Sequence, residues 1–198
     1  MNDLLAALGV GAVVFASTNV DDMLLLAAFF AEPAFSRRQV VAGQFLGMSA
    51  LVAVSAACAL LAFAVPPGWV GLLGLVPLGL GVVGLIRRFA AGEAEAESHA
   101  ERPRSGQSRT LAVAGVTIAN GGDNLGVYIP LFSSDMRRLV VYVAVFASMT
   151  AAWCVAGYYL VENPLFGKRF AHYGRLALPF VLIALGCWIL RDAAVLLE

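Results

Sequence analysis

Three aspartates stand where an aspartate is costly. Asp21 and Asp22 lie in A-S-T-N-V-D-D-M and Asp123 in I-A-N-G-G-D-N-L, each near the middle of a long apolar stretch. If those stretches cross a bilayer, an ionised aspartate at mid-depth costs roughly 2.5–3.5 kcal/mol on insertion scales, and it persists where it meets a polar cavity, a partner or an ion. The surrounding side chains carry oxygen and no positive charge: Ser17, Thr18, Asn19, Asn120 and Asn124. No lysine or arginine occurs at mid-depth in any such stretch, so a cation is the natural missing partner of the carboxylates.

Helical spacing groups these residues. Asn120, Asp123 and Asn124 stand at i, i+3 and i+4 and share one face, and Asn19 and Asp22 stand at i and i+3. Adjacent Asp21 and Asp22 point about 100° apart on a regular helix, so both reach one site only where the helix is unwound. Gly121-Gly122 permits unwinding in the later segment, and Pro130 weakens its far end. The candidate metal-binding set is therefore Asp21, Asp22, Asp123, Asn124, Asn120 and Asn19. Carboxylate and amide oxygens suit manganese, magnesium or calcium better than a soft ion. Three ionised aspartates around one divalent ion leave a single net negative charge. Emptied, the same cluster crowds like charges in a low dielectric, which protons would relieve. Exchange of metal for protons is the expected coupling.

Other chemistries fit less well. Two intramembrane aspartates can form a protease dyad, but such enzymes carry Y-D on one helix and G-x-G-D on another, whereas this chain has N-G-G-D and no Y-D. Cys58, Cys154 and Cys187 are scattered singly, without metal spacing or a relay pair, and read as buried structural thiols. Gln44, between Gly43 and Gly47 on a small-xxx-small face, reads as a packing residue. No enzymatic activity and no resident cofactor are expected; the divalent ion is the substrate.

The elements that would position these residues follow from composition. Of 198 residues, 61% are hydrophobic and 13% charged, with a mean hydropathy of +0.84. A soluble fold needs about twice that charge to cover its surface. Zero formal net charge offers no basic face for nucleic acid. Six stretches are long enough to span a bilayer: Leu4–Ala31, Val40–Val65, Val70–Ile86, Leu111–Phe132, Leu139–Val161 and Leu176–Leu197. Breaks fall at Pro66-Pro67-Gly68 and at Glu162 to Arg175, among other places. The start of the chain, Met1-Asn2-Asp3, lacks the positive charge of a cleavable leader.

Shifting the sequence by 102 residues superposes Asp21-Asp22 on Asp123-Asn124, Pro77 on Pro179 and Gly84 on Gly186. The expected fold class is thus all-α integral membrane, with six transmembrane helices as two inverted three-helix repeats. Residues 1–90 form the first repeat, 91–109 a polar linker and 110–198 the second. Three spans per repeat force opposite entry into the bilayer, which places a shared site near the midplane. The offset pairs Asp21 with Asp123, whereas helical spacing favours Asp22, and both remain candidates. With both termini outside, ten of the 13 Lys and Arg residues face the cytoplasm; Arg137, Arg138 and Arg191 do not.

At N-V-D-D-M-L-L-L and N-G-G-D-N-L-G-V-Y-I-P-L-F the sequence resembles the cadmium resistance transporter family of the lysine-exporter superfamily. The stretches V-V-A-G-Q-F-L-G-M and L-P-F-V-L-I-A-L-G are similar to it too, so the resemblance spans essentially the whole chain. It implies a small six-helix exporter of divalent metal in the inner membrane of a prokaryote, with acidic motif residues corresponding to Asp21, Asp22, Asp123 and Asn124. Members of the wider superfamily export amino acids, so a small cationic organic solute is the alternative cargo. The partners expected are the transported cation and membrane lipid, with homo-oligomerisation left open. The orientation is testable: a cysteine at Gly106, in a background without native cysteines, is expected to react with a membrane-impermeant thiol reagent only after cells are opened. Labelling of intact cells would reverse the topology.

Overall fold

The computed structural model describes residues 2–62, 72–90, 108–162 and 164–191. The Pro66-Pro67-Gly68 break, residues 91–107 of the expected linker and the end of the sixth stretch beyond Arg191 lie outside them. Among the described residues all regular structure is helical. The helices are α1 (Asn2–Thr18), α2 (Val20–Ala31), α3 (Arg37–Ala62), α4 (Leu75–Ala90), α5 (Arg109–Asn120), α6 (Leu125–Ser134), α7 (Leu139–Glu162) and α8 (Pro164–Leu190). One turn of 3₁₀ helix, Leu72–Gly74, leads into α4, and another, Met136–Arg138, leads into α7.

Among the described residues two helices, Arg37–Leu61 and Met136–Val161, are long and apolar enough to cross a membrane, and Asp3–Thr18 with Val20–Ala31 would make a third if counted as one bent span. Apolar segments Leu72–Ile86, Leu125–Ser134 and Leu176–Leu190 are shorter. The stretch Leu4–Ala31, expected as one span, is bent by 59° between α1 and α2, the interruption that would let Asp21 and Asp22 turn toward one site. Leu111–Phe132 is likewise split, with a turn over residues 121–124 separating α5 from α6. The polar stretch after Glu162 is not a break in the backbone throughout, because α8 already begins at Pro164.

Each interruption has a local cause. At the first, Asn19 sits at φ −108° and ψ 23°, off the helical well. Its carbonyl accepts the Met23 amide at 3.3 Å and the Trp153 indole N–H of α7 at 2.7 Å. A second donor on one carbonyl tilts the peptide and bends the ladder. At the second, the Gly121 amide closes α5 on the Thr117 carbonyl at 2.8 Å, and the Tyr128 amide restarts the ladder on the Asn124 carbonyl at 2.8 Å. Leu51 of α3 packs so closely on Gly121 that a Cβ there would overlap it.

Close helix approach sets the rest of the frame. A Cβ on Gly43 would lie 2.6 Å from the Thr110 carbonyl oxygen, and one on Gly47 would lie 2.6 Å from Thr117 Cβ, so the small face of α3 is pressed against α5. In a bilayer such packing draws on dispersion contacts rather than on escape from water. Packing of α4 on α8 repeats the device at Gly74 and Gly186. Beneath the bends lies an aromatic core of Phe15, Tyr128, Phe132, Tyr142 and Phe146, all fully buried. The Phe15 and Phe146 rings meet edge to face at 5.3 Å, and Tyr128 and Phe146 at 4.7 Å. That core fixes the Tyr128 ring, whose hydroxyl reaches the site. Apolar side chains such as Leu46, Val54 and Leu61 of α3 and Val140 and Val155 of α7 point outward, as a lipid-facing surface requires.

Candidate functional site

Asp22 occupies the first turn of α2, immediately after the bend, and is 1% exposed. Its carboxylate is met by amides. The Gln44 Nε2 group of α3 donates to one oxygen at 3.2 Å, and the Asn120 Nδ2 group at the end of α5 donates to the other at 2.7 Å. Gln44 is itself buried, and its Oε1 accepts the Thr117 hydroxyl at 2.6 Å. Three segments remote in sequence therefore converge on one carboxylate. Among the described residues no basic side chain bonds it; the ion pair they hold is Arg138 with Asp135, 2.7 Å apart and well along the chain.

A second polar group adjoins the first. Asn19 Nδ2 donates to the Tyr128 hydroxyl at 2.6 Å, to the Phe15 carbonyl at 2.9 Å and to Thr18 Oγ1 at 3.0 Å. Its Oδ1 accepts Asn124 Nδ2 at 3.3 Å, joining the two chain interruptions directly. The Tyr128 hydroxyl also lies 3.3 Å from Thr18 Oγ1. Ser17, by contrast, bonds the Val13 and Val14 carbonyls of its own helix at 2.8 and 3.0 Å, the usual refuge of a hydroxyl in an apolar helix.

Of the six residues singled out from sequence, Asp22 and Asn120 share one cluster, and Asn19 and Asn124 share the next. Asp21 is half-buried and makes no hydrogen bond or ion pair among the described residues. Asp123 is exposed in the 121–124 turn, with the backbone amides of Asp123 and Asn124 directed at its carboxylate. The charge of Asp21 is felt at both Asp22 and Asp123, so the three aspartates repel one another across the site. They are not gathered into a cage: among the described residues no three of His, Cys, Asp and Glu stand close enough to hold one metal ion.

Sequence reasoning missed four members of the network. Gln44 was expected only to pack, and Thr117, Tyr128 and Trp153 were not singled out. A signal was present for two of them. Thr117, Asn120, Asn124 and Tyr128 follow one another at spacings of three and four, a continuous polar stripe through an apolar segment. Trp153 gave no such signal, since its contact is with a backbone carbonyl whose availability depends on the bend.

A chain whose described residues are helical and apolar-surfaced, with a polar site at paired helix breaks, has the makings of a membrane transporter. The chain belongs to the cadmium resistance transporter family, whose model matches residues 15–197. No curated protein and no solved structure matches it.

The network makes a prediction about two tyrosines. Tyr128→Phe removes the acceptor of the shortest Asn19 bond and should lower the stability of the purified protein by about 0.5–1.5 kcal/mol. Tyr142 is equally buried, yet its hydroxyl has no hydrogen-bond partner among the described residues, so Tyr142→Phe should be neutral or stabilising. Thermal unfolding in detergent reads both, and equal losses would contradict the assigned network.

Proposed function

We propose that the protein exports a divalent metal cation across the inner membrane by proton antiport, with Asp22 as the principal carboxylate of a midplane site. The observation that carries this reading is the burial of Asp22 among amides with no basic partner among the described residues. A carboxylate in that position lacks half of a charge pair, and a cargo cation supplies it. Amide oxygens of Asn19, Asn120 and Asn124, with Asp21 and Asp123, which stand apart in this structure, would complete the donor set by closing on the ion. Membership of a cadmium resistance transporter family points to metal as the cargo.

The layout we propose is two inverted three-helix repeats, with both termini outside. In support, the bend at Asn19 and the turn beginning at Gly121 are separated by the same 102 residues that align the acidic motifs. The packing partners exchange as such a symmetry requires, α2 lying on α7 and α6 on α3. Broken helices at the shared motif would let each half rock about the site while the carboxylate stays buried.

A second reading is favoured by one observation. The described residues hold no three-carboxylate cluster, and a small organic ammonium needs only one carboxylate and a few oxygens. The two readings separate in proteoliposomes at clamped membrane potential. We expect an imposed proton gradient to drive cadmium or manganese transport, lysine to be neither carried nor a competitor, and Asp22→Asn to reduce transport at least tenfold. Metal and protons compete for the same oxygens, so apparent metal affinity should fall as pH drops from about 8 to about 6. Equal rates with and without the gradient would contradict antiport, and transport of lysine with indifference to metal would establish the second reading.

A further inference from the structure

We propose that Gln44 is a ligand of the transported cation, switched from hydrogen-bond donor to oxygen donor by rotation of its amide, with Thr117 satisfying it in either orientation. This inference rests on the reading of Asp22 as the cation's carboxylate. As the structure stands, the Gln44 NH₂ group faces Asp22 at 3.2 Å, and the Thr117 hydroxyl donates to Gln44 Oε1 at 2.6 Å. That arrangement suits an empty site, because N–H groups stabilise an uncompensated carboxylate. It does not suit an occupied one, where the same N–H groups would point their positive ends at the ion.

The conflict has a small resolution. Rotating the terminal amide by half a turn exchanges Oε1 and Nε2 without moving the rest of the side chain. Oε1 then faces the ion beside Asp22, and Nε2 faces Thr117. A hydroxyl is both donor and acceptor, so Thr117 accepts from Nε2 in the new state as readily as it donates to Oε1 in the old. Its freed proton can turn to a carbonyl of the preceding turn of α5, a bond that threonine commonly makes in apolar helices. Asp22, Gln44 and Thr117 are 1%, 3% and 3% exposed, so bulk water does not reach them to repair a mismatched partner. An amide facing a hydroxyl is therefore a two-state pair that stays satisfied in both states, whereas an amide facing a second carbonyl would be locked in one. Gly43 and Gly47 serve this pair, since their lack of side chains brings α3 close enough to α5 for Gln44 to reach Thr117.

The test is the ratio of cadmium to manganese affinity, measured by titrating each ion into the purified full-length protein. Gln44→Met keeps the length of the side chain and sets a soft sulfur one atom nearer the backbone than the ligating oxygen, still beside Asp22, which favours cadmium over manganese. If Gln44 touches the ion, the ratio should rise at least tenfold in Gln44→Met. If Gln44 only packs or steadies Asp22, both affinities fall together and the ratio stays as in the wild type, which overturns the inference. A Gln44→Met protein that fails to fold leaves the decision to Thr117. Thr117→Val should weaken both ions by about threefold to tenfold, the worth of one net hydrogen bond, and Thr117→Ser should restore them; unchanged affinity in folded Thr117→Val overturns the inference. Asp22→Asn in the same titration separates the two readings. Loss of binding there with an unchanged ratio in Gln44→Met removes only the role of Gln44. Wild-type binding by Asp22→Asn removes the Asp22 site, and this inference with it.

Discussion

A carboxylate buried at 1% exposure, with no basic partner among the described residues, is the constraint around which the rest of this molecule is arranged. Taking Asp22 out of water is tolerable only if its oxygens are met by donors, and the donors come from chain segments that would otherwise be independent: Gln44 from α3 and Asn120 from the end of α5. To deliver them, α3 and α5 must touch at backbone distance, which Gly43 and Gly47 allow. The bend after Thr18 must also aim the first turn of α2 inward, and Trp153 and Tyr128 hold that bend through Asn19. Packing, bending and polar satisfaction are thus one problem here, solved at one place.

The solution is incomplete by design of the charges. Amide donors solvate Asp22 but do not neutralise it, and Asp21 and Asp123 add negative potential without adding a counter-charge. The two chain interruptions lie against one another through the hydrogen bond between Asn19 and Asn124. Substrate recognition and conformational change would then share the same few side chains, which is economical for a chain of 198 residues.

Much of this was legible in the sequence. Asp22, Asn19, Asn120 and Asn124 stood out because polar residues in apolar segments are expensive and need a reason. Gly121-Gly122 announced the second interruption, since paired glycines relax a helix. The first was hidden: Asn19 is flanked by residues that continue a helix, and the bend comes from a tryptophan 134 positions away that donates to its carbonyl. Gln44 was misjudged because its neighbours Gly43 and Gly47 signal packing, and packing is indeed what they do. Only the distance between α3 and α5 reveals that the same face carries a polar side chain to Asp22. Tertiary partners of this kind leave no local periodicity to read.

The central claim is that a cation binds at the Asp22 carboxylate. Crystals of the full-length protein grown with cadmium would test it most directly, through the anomalous scattering of the ion. A peak is expected within bonding distance of an Asp22 carboxylate oxygen, between α2 and the 121–124 turn. A well-occupied cadmium elsewhere in the molecule, with Asp22 still capped by the amides of Gln44 and Asn120, would contradict it.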